Sequence, residues 1–131
     1  MCLNNSVPPG GPHTAAVAVM IKEGRFLLIK RAERPDDPWS GQIGFPGGRW
    51  EPGEDLYGTV RREAAEEVGM DLEAARLLGV MEPDSPMNAP QLKVYPFVFD
   101  ASRVDVVKPN EEVAAYRWTS KDELVEIVWR G

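Results

Sequence analysis

The segment that most constrains this chain runs over residues 55–68, DLYGTVRREAAEEV. It has no proline, and Leu56, Val60, Ala64 and Val68 recur every four residues, which predicts a helix with one apolar stripe lying on a core. Gly69 is the natural stop, supplying a left-handed residue just past the last turn. Glu63, Glu66 and Glu67 stand at i, i+3 and i+4, so three carboxylates share one surface patch. Solvated charge is the ordinary reading of a helical glutamate, but local energetics oppose it here. Glu63 and Glu67 repel across one turn, and Glu66 and Glu67 occupy the last turn, where the helix dipole disfavours anions by roughly 0.3–1 kcal/mol each. Only the Arg62–Glu66 pair helps. Local rules broken twice in one place point to a functional site. A hard divalent cation, Mg²⁺ (or Mn²⁺), resolves the conflict, because it takes carboxylate oxygens and completes its shell with water and phosphates. The single cysteine, Cys2, and the single histidine, His13, both lie in the Pro/Gly-rich start of the chain, which argues against zinc.

The same residues belong to a longer pattern. Gly48 is followed by Glu54, then Arg62, Glu63, an apolar Ala64, Glu66, Glu67, Gly69 and an apolar Met70. Seven fixed positions, each at roughly 7% abundance, coincide by chance in about one sequence of this length in 10⁶. The pattern resembles the Nudix box, with every position filled. That resemblance implies an α/β/α sandwich around a mixed β-sheet and hydrolysis of a nucleoside diphosphate joined to another moiety. It further implies that Glu63, Glu66 and Glu67 hold the metals with the Gly48 carbonyl as backbone ligand, and that Arg62 and Glu54 orient the carboxylates. The proton acceptor is expected to be Glu63, with Glu111 and Glu112 as rivals on a loop before a strand, where a mobile carboxylate could swing over the attacking water. A non-catalytic Nudix-fold nucleotide sensor is the alternative; the intact glutamates favour the hydrolase.

For the substrate, residues 41–48, GQIGFPGG, resemble the entry to the box in the coenzyme A diphosphatase branch, and residues 93–98 and 110–114 are similar to downstream stretches of that branch. Three positions depart from it: Asp37 stands where the branch has an arginine, and Ile29 and Arg31 stand where it has threonines. ADP-ribose and other nucleoside diphosphate derivatives therefore stay beside coenzyme A as candidate partners. Arg31, which directly follows a strand, and Arg34 are read either as solvated charges or as contacts to substrate phosphates. Trp39, in the loop of residues 33–44, is read as a packing lid or as a platform for a base. The proline-rich loop of residues 83–90 is a natural place for specificity.

At 131 residues the chain fits one α/β (α+β) domain without disulfides. The turn-forming residues 1–12 are expected to be a flexible arm, with a single domain over residues 13–131. Apolar runs at 15–21 and 26–29 flank Lys22-Glu23-Gly24-Arg25, a hairpin signature. Strands are expected at 77–82, 92–99 and 113–118, and Ser120 with Glu123 forms a capping box for a final helix. The apolar group from Leu124 to Trp129 packs on the sheet or meets a second copy, so monomer and homodimer both stay open. A net charge of −6 argues against nucleic-acid binding. With no signal peptide or apolar run long enough for a bilayer, a soluble cytoplasmic protein is expected.

Overall fold

The computed structural model describes residues 3–37, 40–104 and 107–124. The strands are β1 (Thr14–Lys22), β2 (Arg25–Arg31), β3 (Ile43–Gly44), β4 (Gly47–Arg49), β5 (Arg76–Val80), β6 (Lys93–Asp100) and β7 (Val113–Ser120), and the helix α1 spans Leu56–Val68. The hairpin between β1 and β2 turns on Glu23 and Gly24, both at positive φ (51° and 73°), the conformation of a two-residue turn whose twist matches the strands.

Beyond the turn the hairpin strands part. β1 pairs with β2 only at Ile21↔Phe26 and Lys22↔Arg25, then runs antiparallel to β4, while β2 pairs with β3 at Ile29↔Gly44 and Lys30↔Ile43. On its other edge β1 lies parallel to β6 over eight residues, Thr14↔Lys93 to Ile21↔Asp100, and β6 continues antiparallel to β5. β7 covers β2 from Arg25 to Arg31. The result is a mixed seven-stranded sheet, opened at the point where β1 and β2 splay.

The predicted apolar stripe of α1 is fully buried at Leu56, Val60, Ala64 and Val68. It packs in one cluster with Ala16, Ala18 and Met20 of β1 and Phe97 and Phe99 of β6. Burial of each of the larger side chains stabilises the fold by about 1.5–3 kcal/mol. Asp55 caps the helix start by accepting the Gly58 N–H at 2.7 Å, and Gly69 ends it at φ 67°. A further closure is not visible in the sequence: Lys108 N–H donates to the Val68 carbonyl at 2.7 Å and Asn110 N–H to the Glu67 carbonyl at 3.0 Å. These bonds satisfy carbonyls that a helix end leaves open.

Several expectations shift. Ile43 and Gly44, read as loop, form β3, and β5 ends at Val80 after a bulge near Gly79. The expected arm touches the body at two points: Asn4 and Val80 exchange backbone hydrogen bonds at 2.9 Å, and Gly10 lies so close to the Trp50 ring that a Cβ there would stand 2.1 Å from it. Ser120 Oγ accepts the Glu123 N–H at 3.3 Å, as the capping box requires; the expected continuation of a final helix from residue 125 falls outside the described residues. Among the described residues no helix is long and apolar enough to cross a membrane.

Candidate active site

The register of β4 decides which backbone groups face α1's glutamates. Thr14 accepts from Trp50 N–H and Ala18 donates to the Pro46 carbonyl, whereas His13 and Ile21 accept from residues 93 and 101 on the opposite edge. Even-numbered residues of β1 thus bond toward β4, so Ala16↔Gly48 is a hydrogen-bonded pair and the Gly48 carbonyl is directed at β1. Gly47, opposite Val17, has its N–H and C=O turned away from β1, and its N–H donates to Glu67 Oε1 at 3.0 Å. The expected Gly48 ligand is corrected on this ground: the carbonyl on the carboxylate side belongs to Gly47. Gly48 has another part, since the Glu63 carboxylate lies against it and an added Cβ would stand 2.6 Å from Glu63 Cδ and Oε2.

Glu63 and Glu67 are close enough to act on one another electrostatically. Glu67 is wholly buried, and desolvation, then the neighbouring Glu63, pushes its carboxyl up to about 8. Burial likewise raises Glu63. Like carboxyls buried as neighbours disfavour ionising together. Glu66 is more open: its side chain is 55% exposed and its carboxylate lies 3.7 Å from Arg62 Nη1, the nitrogen that also holds Glu63. Of the three carboxylates, Glu67 is buried, Glu63 lies between, and Glu66 faces solvent. Among the described residues no three acidic, histidine or cysteine side chains already surround a common cation position.

Arg62 is the hub. Its Nε and Nη2 donate to the two oxygens of Glu54 at 3.1 and 2.9 Å, its Nη1 to Glu63 Oε1 at 2.5 Å and its Nη2 also to the Arg49 carbonyl at 3.1 Å. Such a bidentate, charge-assisted clamp fixes geometry as well as charge. Arg62 holds the Glu54 carboxyl below its ordinary range, and Glu54 raises the Arg62 guanidinium in return. The Thr59 hydroxyl adds a bond to Glu54 at 2.9 Å, a partner the sequence reading missed.

Where the hairpin splays, a cavity of about 510 Å³ opens. Glu63, Gly47, Gly48, Arg31 and Glu112 line its polar end, and Val17, Phe45, Pro86, Leu92 and Val94 its apolar walls. A shift in register between Lys30 and Arg31 is the kind of irregularity that re-aims a side chain beside a site. Arg31 Nη1 reaches Glu67 Oε2 at 3.4 Å, its Nε lies 3.6 Å from Asp37, and that buried Nε has no hydrogen-bond partner. Glu112 is half-buried and faces the cavity; Glu111 is exposed and does not line it. The loop carrying both was expected to swing, but it is docked on the last turn of α1 through Lys108 and Asn110. Arg34 is exposed and lies in a smaller side cavity of about 290 Å³ with Arg31, Asp36, Asp37 and Glu112. Trp39 lies outside the described residues.

The donor chemistry fits a hard divalent cation. Glu63, Glu67 and the outward carbonyl of Gly47 offer oxygen only, and of the two packed carboxyls Glu63 is held by Arg62 while buried Glu67 has only a weak cationic contact, from Arg31. A cation there would stabilise both ionised forms, which burial alone disfavours.

Fold and site together define a class of protein, and a model of the NUDIX domain matches residues 11–130: the chain belongs to the NUDIX family. Its relatives include an ADP-ribose pyrophosphatase from Methanocaldococcus jannaschii, 36% identical over 88 residues. That match takes in 67% of this chain and 49% of the relative, so the chain spans about half the length of that protein. Nucleoside triphosphatase NudI from Escherichia coli is 30% identical over 124 residues, covering 86% of this chain and 84% of NudI. Among solved structures, a MutT protein from Methanosarcina mazei Go1 superposes with TM-score 0.64 at 27% identity, over 89% of this chain and 90% of that one. A C. elegans Ap4A hydrolase shares the fold, with TM-score 0.74 at 21% identity over 86% and 84% of the two chains.

Proposed function

We propose that this Nudix hydrolase is divalent-metal-dependent and cleaves the diphosphate of a nucleoside diphosphate joined to a second moiety, with ADP-ribose ahead of coenzyme A. The observation that carries this reading is the pair of α1 carboxylates set against the Gly47–Gly48 backbone, Glu67 accepting the Gly47 N–H and Glu63 lying against Gly48 at the edge of a cavity lined also by apolar side chains. Glu63, Glu67 and the Gly47 carbonyl would hold Mg²⁺ or Mn²⁺, with Glu66 as an outer carboxylate. The cation supplies charge neutralisation for phosphate oxygens and acidifies water. Arg62 and Glu54 hold Glu63 in place, Arg31 presents a guanidinium to the diphosphate, and the apolar walls take the nucleoside.

In the reaction a water oxygen bonds to one phosphorus, the bridging P–O bond breaks, and two phosphate-bearing products leave. The water's proton passes to a carboxylate. Glu112 is better suited to this than Glu63, because Arg62 already holds Glu63 Oε1, whereas Glu112 lines the same cavity without such a clamp. ADP-ribose is favoured by the M. jannaschii relative and by Asp37, which replaces the arginine of the coenzyme A pattern and lies beside Arg31.

The test is a panel of ADP-ribose, coenzyme A, nucleotide sugars, diadenosine polyphosphates and nucleoside triphosphates, with product masses read by mass spectrometry in Mg²⁺, Mn²⁺ or EDTA. Cleavage of ADP-ribose to AMP and ribose 5-phosphate, abolished by EDTA, is the expected result. Undiminished turnover in excess EDTA, or no cleavage of any member, would overturn the reading.

A further inference from the structure

Arg31 stands at the junction of the main cavity and the side cavity, lining both. Its backbone is fixed on two sides: Arg31 N–H donates to the Gln42 carbonyl at 2.9 Å, and the next residue, Ala32, donates to the Glu112 carbonyl at 2.8 Å. The guanidinium is less well served. A guanidinium carries five donors, yet Glu67 is at 3.4 Å, Asp37 is at 3.6 Å, and Nε is buried without a hydrogen-bond partner. Leaving such a donor unmet is costly, and a ligand oxygen at this junction removes the cost.

Asp37 is built to stay beside it. The surrounding turn is cinched by Asp37 N–H to the Arg34 carbonyl (3.2 Å), Ser40 N–H to the Asp37 carbonyl (3.1 Å) and Arg34 N–H to Ser40 Oγ (2.6 Å). The carboxylate is 22% exposed, and the Arg31 side chain 27%. The two acidic neighbours of Arg31 differ in kind: Glu67 belongs to the carboxylate pair that would turn to a cation, whereas Asp37 comes from a separate loop.

We propose that Asp37 is a positioning residue, holding the Arg31 guanidinium at the junction of the two cavities so that it meets the substrate's diphosphate. This rests on the hydrolase reading above for its substrate, and Asp37 acts only through Arg31.

A double-mutant cycle tests this. Asp37→Asn, Arg31→Gln and the double variant are compared in kcat and KM for ADP-ribose with Mg²⁺, and in calorimetric affinity for ADP with Mg²⁺. Asp37→Asn is expected to raise KM and weaken ADP binding about tenfold, the loss of one charge-assisted contact, with a smaller change in kcat. In the Arg31→Gln background the same change should do nothing further, and Asp37→Glu should restore part of the loss. Effects of Asp37→Asn and Arg31→Gln that multiply, or an Asp37→Asn protein with unchanged KM and ADP affinity, would overturn the proposal, as would a wild-type protein that does not bind ADP. If the wild type cleaves no substrate but binds ADP, with the cycle behaving as described in the binding arm, the hydrolase reading fails and the role of Asp37 stands.

Discussion

Replacing Glu67 by Gln removes the group on which the site's metal-free electrostatics turn, and its effect should grow with pH. In the folded protein burial, then the neighbouring Glu63, pushes the Glu67 carboxyl from 4.5 up to about 8. A folded-state pKa above the unfolded one means that the contribution to stability is fully present below about pH 4.5 and is lost as pH rises through about 8. Between those limits the unfolded chain gives up a proton that the folded one keeps, so the metal-free wild type loses about 1.4 kcal/mol per pH unit from this group. Carried across the whole window, the loss has a ceiling of about 5 kcal/mol, on the order of 15 °C in Tm for a chain this size. Glutamine keeps the shape of the protonated acid: its carbonyl can accept the Gly47 N–H, while its amide takes the place of the oxygen that weakly accepts from Arg31. The assay is thermal unfolding of both proteins in EDTA from pH 5 to pH 9. The curves should meet near pH 5 and diverge upward, the variant being the more stable at high pH. Added Mg²⁺ should then raise the wild-type Tm at pH 8 by mass action and leave the variant nearly unmoved. Parallel curves in EDTA would refute the burial-raised Glu67 carboxyl.

Glu112→Gln should lower kcat by about 10²–10⁴, the cost of losing a general base, while Glu111→Gln stays within about tenfold; equal effects in a kcat–pH series would return the role to Glu63. Gly48→Ala and Gly47→Ala should fail differently. At Gly48 the new methyl meets the flexible end of Glu63, so kcat falls by about 10² with Tm little changed. At Gly47 it meets the Ala16 carbonyl oxygen at 2.2 Å and Val17 Cα at 2.6 Å, so the fold loses ~3 kcal/mol or more, read by denaturant unfolding. Arg62→Lys cannot bridge Glu54, Glu63 and the Arg49 carbonyl together and should cost ~1–3 kcal/mol of stability as well as activity; an unchanged kcat would show that the clamp has no part in catalysis.

The helix was legible in the sequence because all its determinants are local. A four-residue apolar stripe, no proline and a terminal Gly69 fix its length, and i, i+3, i+4 spacing puts Glu63, Glu66 and Glu67 on neighbouring positions whatever the helix packs against. The hairpin at Glu23-Gly24 was legible for the same reason, as was the family through the spacing of its box. What the tertiary structure alone decided is how those side chains divide. Glu67 turns into the protein because the Gly47 N–H, set by strand register, meets it there, while Glu66, one residue earlier, stays in solvent. Register depends on pairing between β1 and β4, segments about thirty residues apart, and no local pattern encodes which carbonyl of Gly47-Gly48 faces outward. The docking of residues 108–110 on the end of α1, which brings Glu112 and not Glu111 to the cavity, and the meeting of Asp37 with Arg31 are likewise long-range or loop contacts. They follow from the splaying of β1 and β2, where short strands and loops must satisfy backbone groups that a continuous hairpin would have paired within itself.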